Sequence, residues 1–352
     1  MREPRKIILV RRDNIGDLVC TTPALAALRR AFPRAELALL ANSYNAVILA
    51  GHPDLDRLYT VRKPKHQPER AKAAVLLENL QVFRLIRRQG YEVAIGCGAY
   101  SPTLAHHTFF TGARLRLGYV RHKGLFPWYT HPLPEPSDPC HEVERVFRLL
   151  SPLGVQGEPG PLQLFPDPGE LARFRAFVAA QPGGADRPLA AVAISARTAN
   201  KCWPISHFLE LIRALLADGR LRVLLLWAPG SAHNPMFPGD DDAAAKIRAQ
   251  AGEGLLAYPT PRLPALVAAL FGADLVVTLD TGSLHVAAAA GKPVVALMPP
   301  ENVAGWHPWR CPHRVLTHPA GVAAIPVGAV LEAVWELYDT EVAPHPARNR
   351  PW

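Results

Sequence analysis

Short apolar runs alternate with longer amphipathic ones along this chain. Lys6–Val10 reads as a buried strand, followed by a loop and an amphipathic helical run over 18–32, where Pro23 is tolerable only in an early turn. Residues 37–41 and 57–61 predict two further strands. A basic stretch over 62–70 leads into a helix over 73–89, and 92–96 closes another βα unit. From 151 to 168 the chain is rich in Pro and Gly and reads as a linker. The alternation then restarts: strands over 189–194, 221–227, 275–279 and 294–298 interleave with helices over 205–216, 240–251, 263–271, 283–290 and 327–339. Strands and helices alternating at these lengths predict an α/β protein with parallel, doubly wound sheets. The expected domains are 1–165 and 166–342, each Rossmann-like, with a loose Pro/Arg-rich tail over 343–352. No repeat of solenoid length is visible.

Composition narrows the class. The 352 residues are too many for one ordinary core, and 49% hydrophobic with 20% charged residues excludes a disordered chain. No apolar run approaches the roughly 20 residues a membrane helix needs, and the apolar start is too short for a signal peptide. Five scattered cysteines, never spaced C-x-x-C, argue against a zinc site or disulfide framework and for a cytosolic protein. Charge changes the picture more. Residues 1–165 hold 23 Lys/Arg against 14 Asp/Glu, while the remainder holds 16 of each. All the excess positive charge lies on the N-terminal half, which implies an anionic partner there: phosphorylated substrate, acidic membrane surface or nucleic acid. No nucleic-acid-binding motif is visible, and solubility alone is the plainer alternative.

Three loops carry candidate chemistry. Asp280, Thr281 and Gly282 follow a strand and open an Ala-rich helix containing His285. Such a turn presents free amides and the positive end of a helix to an anion, although Asp280 or Thr281 could simply cap the helix. The first loop, running from Arg11 through Asn14 to Asp17, has the same placement in the other half. Its single Gly is a poor dinucleotide fingerprint, and Asp17 suits either a general base or a helix cap. Ser195, Arg197 and Lys201 end the strand that starts the second half, where two cations and a hydroxyl could neutralise a diphosphate.

In order and spacing these pieces resemble glycosyltransferase family 9, the heptosyltransferases of lipopolysaccharide core synthesis. The resemblance rests on Asn14-Ile15-Gly16-Asp17, Thr22-Pro23-Ala24-Leu25, Lys201-x-Trp203-Pro204, Asp280-Thr281-Gly282-x-x-His285, Gly291-Lys292-Pro293 and Trp306-x-Pro308. It implies a GT-B fold, two Rossmann-like domains facing across a cleft, with the acceptor on the first and the donor on the second. It further implies inversion at the anomeric carbon without a metal or other cofactor, with ADP-heptose as donor and an anionic glycolipid as acceptor. Peripheral association with the cytoplasmic face of the inner membrane is expected on the same ground. Asp17 matches the base, Lys201 a donor-phosphate contact, and Thr281 and Gly282 the backbone around the diphosphate. Asp280, His285 and Asn14 match further donor contacts.

The chain departs from the family in one place. Many members carry a Glu after the strand at 221–227, whereas 228–234 contains none, and Asp240, Asp241 and Asp242 follow instead. Those aspartates could reach a ribose, but a charged helix start explains them more simply, and they point too differently to hold a metal. His106 and His107 read as surface or cleft histidines. Arg62, Lys63 and Lys65 form a basic loop that could meet the acceptor or be merely solvated. The alternatives to a heptosyltransferase are a related transferase using another nucleotide sugar, or a non-catalytic sugar-nucleotide-binding protein. Retention of Asp17 argues against the latter.

Overall fold

The run Lys6–Val10 forms strand β1, and every residue after Lys6 is fully buried. Burial on both faces is what a parallel sheet covered by helices requires, and it explains an unbroken rather than alternating apolar pattern. The computed structural model of the protein describes residues 3–64, 70–121, 128–181, 187–234 and 238–345. They fall into two compact units divided between Phe165 and Pro166, at the end of the Pro/Gly-rich stretch.

The first unit adds strands β2 (Glu36–Asn42), β3 (Arg57–Val61), β4 (Val93–Gly96), β5 (Leu115–Val120) and β6 (His131–Pro134). Its helices are α1 (Ile15–Val19), α2 (Thr22–Ala31), α3 (Lys72–Gln89), α4 (Pro102–Phe110) and α5 (Glu142–Arg148). All strand pairs are parallel, in the order β3-β2-β1-β4-β5-β6, with Ile8 beside both Ala38 and Ala94. The run over 18–32 is two helices rather than one. Pro23 lacks an amide for the ladder and fits only the opening turn, so a second helix starts at Thr22 after a break at Cys20 and Thr21. Edge strand β6 escapes the sequence reading because two of its four residues are proline, tolerated only at an edge.

The second unit contains strands β7 (Leu189–Ala193), β8 (Arg222–Trp227), β9 (Leu255–Pro259), β10 (Leu275–Leu279), β11 (Val294–Leu297) and β12 (His313–Leu316). Its helices are α6 (Pro168–Ala179), α7 (Ile205–Asp218), α8 (Asp241–Gln250), α9 (Leu263–Gly272), α10 (Gly282–Ala289), α11 (Val303–Trp306) and α12 (Val327–Leu337). Again every pair is parallel, in the order β12-β11-β10-β7-β8-β9. Among the described residues no helix is long and apolar enough to cross a membrane.

The strand orders position the site. In the first sheet the direction of winding reverses between β1 and β4, and in the second between β7 and β10. Loops leaving the carboxyl ends of strands at such a switch point part to opposite sides and leave a crevice, where open α/β sheets bind ligands. The loop to Asp17 follows β1, and the loops bearing Lys201 and Asp280 follow β7 and β10.

Candidate active site

The β1 loop is organised around a buried arginine. Arg11 is 2% exposed, and its guanidinium touches Asp17 Oδ1 through Nη2, Glu142 Oε1 through Nη1 at 2.7 Å and the Cys97 carbonyl at 2.7 Å. Asp13 lies 3.6 Å from Nε. Burial alone would lower the arginine's pKa, but the Asp17, Glu142 and Asp13 carboxylates outweigh it and raise it, so the group stays charged. Room for it depends on Gly98, where an added Cβ would sit 2.2 Å from Nη1 and whose φ of +124° already disfavours side chains.

Asp17 is the third residue of α1, and its Oδ2 accepts the Asn14 amide at 3.0 Å. Both carboxylate oxygens are therefore held, yet the side chain keeps 14% of its surface exposed. Asp17 does cap its helix, as one reading of the sequence expected. Capping leaves further lone pairs on each oxygen, so it does not exclude a proton acceptor. Asn14 is exposed, and its carbonyl and that of Asp13 accept from Asn45 Nδ2 at 3.0 Å each, which fastens the loop to the end of β2.

In the second unit, Lys201 Nζ reaches Asp280 Oδ2 at 2.8 Å, and Asn302 Nδ2 donates to the same oxygen at 2.6 Å. Asp280 is nearly buried, while Lys201 keeps 29% exposure. Thr281 is the extended residue before α10, and Gly282 opens the helix. A chain of hydroxyls braces this turn: Thr278 in β10 meets Ser283 at 2.7 Å, and Ser283 meets Thr281 at 2.7 Å. The Gly282 and Ser283 amides open α10 ahead of its first bond, from Leu284 N–H to the Thr281 carbonyl at 3.2 Å, so anion, cation and helix start share one corner. His285, buried one turn on, lies edge-on to Trp306 with ring centroids 5.8 Å apart.

Ser195 Oγ accepts the Ala228 amide at 2.9 Å and bonds the Asp240 carboxyl, whose pKa burial raises against the lowering effect of that bond. Asp241 is committed elsewhere, its oxygens accepting Trp227 Nε1 at 2.8 Å and the Gly230 amide at 2.9 Å. The acidic start of α8 thus ties down the β8 loop. Asp240 precedes the helix but its side chain makes no capping hydrogen bond, so these aspartates act on the loop rather than as the expected N-cap. Among the described residues no three His, Cys, Asp or Glu side chains gather to hold a metal ion.

The structure brings together Lys201, Asp280, Thr281 and Gly282, with His285 one turn further along α10 and Ser195 on the same β7 loop as Lys201; Arg197 is exposed on that loop. Asn14 and Asp17 meet in the other unit. Arg62 and Arg70 both clamp Glu78 of α3, so Arg62 is not a purely solvated charge; Lys63 is half-buried, and Lys65 lies outside the described residues. His107 is half-buried, its ring 5.1 Å from Phe83, and burial pushes its pKa down to about 3. Arg11, Glu142 and Asn302 escape the sequence reading altogether. An arginine placed directly after four apolar residues of a buried strand was the available signal for the first, since such a charge needs a partner.

The family model described as "Glycosyltransferase family 9 (heptosyltransferase)" matches residues 80–320. Lipopolysaccharide heptosyltransferase 3 of Escherichia coli is 24% identical over 305 residues, covering 84% of this chain and 83% of that protein. Lipopolysaccharide heptosyltransferase 1 of E. coli K12 is 26% identical over 303 residues, covering 84% and 88%. Among solved structures, a family 9 glycosyl transferase from Veillonella parvula superposes with a TM-score of 0.83 at 19% identity, covering 96% and 98% of the two chains. An E. coli heptosyltransferase crystallised with ADP gives 0.73 at 21% identity, covering 94% and 99%. The fold is GT-B, and this chain belongs to glycosyltransferase family 9.

Proposed function

We propose that this glycosyltransferase moves a heptose from an ADP-activated donor to a lipopolysaccharide core-type acceptor, inverting the anomeric carbon, with Asp17 as general base. The observation that carries the reading is the Asp17 carboxylate, fixed by Arg11 and the Asn14 amide yet still open to solvent along one edge. An acceptor hydroxyl is a poor nucleophile at neutral pH. As its oxygen bonds the anomeric carbon, the bond from that carbon to the diphosphate oxygen breaks, the electron pair leaves with ADP, and the hydroxyl proton passes to Asp17.

Charge then develops on the departing diphosphate. Lys201 and the α10 amides form the cationic corner suited to it, stabilising the transition state more than the ground state. Asp280 and Asn302 hold the lysine ready, and Ser195, Arg197 and His285 lie on the same loops and helix as further donor contacts. The names of the relatives support heptose transfer to lipopolysaccharide, and similar structures crystallised with ADP and with ADP-2-deoxy-2-fluoro heptose support the nucleotide. The surplus of Lys and Arg in the first unit, Arg62 and Lys63 included, suits an anionic acceptor.

A second reading, transfer from another nucleotide sugar, is favoured by one feature: residues 228–234 carry no Glu, and Asp241 is occupied by Trp227 and Gly230. Incubating the protein and a lipopolysaccharide core acceptor with ADP-, UDP- and GDP-activated sugars separately, then weighing products by mass spectrometry, decides between them. Gain of one heptose from the ADP donor alone is expected. Transfer only from a UDP or GDP sugar would replace the first reading by the second.

A further inference from the structure

We infer that the outer face of α3 docks on an anionic lipid bilayer. Eight large hydrophobic side chains are conspicuously exposed among the described residues, and five of them, Leu76, Leu77, Leu80, Leu85 and Phe110, belong to α3 and the end of α4. Elsewhere in the molecule such side chains occur singly, which needs no explanation; a cluster does. Val75, Phe83 and Ile86 are the buried residues of α3 and face the sheet.

At 100° per residue, Leu77 falls opposite this buried face, with Leu80 and then Leu76 on one flank of it, all three 43% to 58% exposed. Phe110 continues the strip, its ring 5.6 Å from Phe83, one turn beyond Leu80, while Leu85 stands on the other flank.

The same outward strip then turns basic. Arg84, Arg87 and Arg88 are all exposed and occupy the last turns of α3, in line with the leucines. Residues 70–114 carry six Lys/Arg against two Asp/Glu, and one of those two, Glu78, is already neutralised by Arg62 and Arg70. A second copy packed on the same face would offer these arginines no unpaired α3 carboxylate, since Glu78 is taken by Arg62 and Arg70, and an apolar protein groove would leave those charges unmatched. Anionic headgroups over an acyl boundary match both halves of the strip: leucines enter the boundary, and arginines reach phosphates with their stems along it. The binding needs no sugar transfer, so it stands or falls apart from the reaction proposed above.

The test is sedimentation of the full chain with vesicles of phosphatidylcholine alone and of phosphatidylcholine mixed with phosphatidylglycerol. Retention on the mixed vesicles is expected, with at least tenfold weaker retention on the neutral ones. Replacing Leu76, Leu77 and Leu80 together by Ser should lower retention at low and high salt alike. Arg84→Gln, Arg87→Gln and Arg88→Gln together should lower it at low salt, by about fivefold per arginine, and flatten its salt dependence. Both variants change exposed positions, so melting temperatures should match the parent, and the single Leu77→Ser change gives a milder check. No retention on mixed vesicles, equal retention on neutral ones, or unaltered retention of the triple Ser variant would each overturn the proposal. So would a parent dimer that the triple Ser variant converts to monomer without any effect on vesicles.

Discussion

The loops after β1 and β10 have the same local architecture and opposite polarity. Each leaves a central parallel strand at a switch point, runs into a helix and joins a carboxylate to a cation. In the first unit the cation is the buried partner: Arg11 is 2% exposed and Asp17 14%. In the second the carboxylate is buried: Asp280 is 5% exposed and Lys201 29%. The more exposed member of a pair can exchange partners with a ligand, while the buried member fixes it in place. The first loop therefore presents a carboxylate and the second an ammonium, although both are strand–loop–helix turns that join a carboxylate to a cation. Their anchors differ in reach. Arg11 is locked by Glu142 and the Cys97 carbonyl, far along the chain, whereas Thr278, Thr281 and Ser283 brace the second turn within six residues.

The sharpest way to break this contrast is Asp17→Asn. The amide can still accept from the Asn14 backbone but cannot take a proton, so kcat should fall by about 10²–10⁴-fold with donor Kd nearly unchanged. Steady-state kinetics and calorimetric donor binding check it. Near-normal turnover would reduce the first loop to a helix start.

Next in size is Glu142→Ala. It removes one of the carboxylates holding a buried guanidinium, and should cost about 3–5 kcal/mol of stability in urea unfolding. An unchanged midpoint would mean that Asp17 and the Cys97 carbonyl suffice to hold Arg11.

The smallest effect belongs to the second loop. Lys201→Ala should weaken donor binding by about 1.5–3 kcal/mol, as for a hydrogen bond to a charged group. The lysine is 29% exposed, but its loss leaves the nearly buried Asp280 with Asn302 alone, so a modest fall in stability accompanies the loss of affinity. A large fall in melting temperature with intact donor affinity would make Lys201 structural and erase the polarity difference between the two loops.

Much of the fold could be read before any coordinates. The strands at Arg57–Val61 and Leu275–Leu279 and the helices at α3, α7 and α9 fall within a residue or two of their expected bounds, because long apolar periods leave few alternatives. Edge elements fared worse. β6 has two prolines in four residues, and β12 is only half-buried, so neither shows an apolar run. The candidate donor corner was legible because its parts lie on loops that follow strongly apolar strands.

By itself, then, the sequence determined which strongly apolar segments become strands and which amphipathic ones become helices, that the basic surplus is confined to the first half, and which loops carry Asp17, Lys201 and Asp280. Those are local properties of apolar period and charge. Tertiary structure alone decided who partners whom. Nothing near Arg11 announces Glu142, 131 residues away, and nothing in Lys201 announces Asp280 and Asn302. It also decided that His107 sits half-buried against Phe83, and that the α3 leucines are exposed instead of packed on the sheet. The physical reason is that burial is a property of the assembled sheet: which charge loses its water, and which keeps it, depends on elements the chain reaches only after folding.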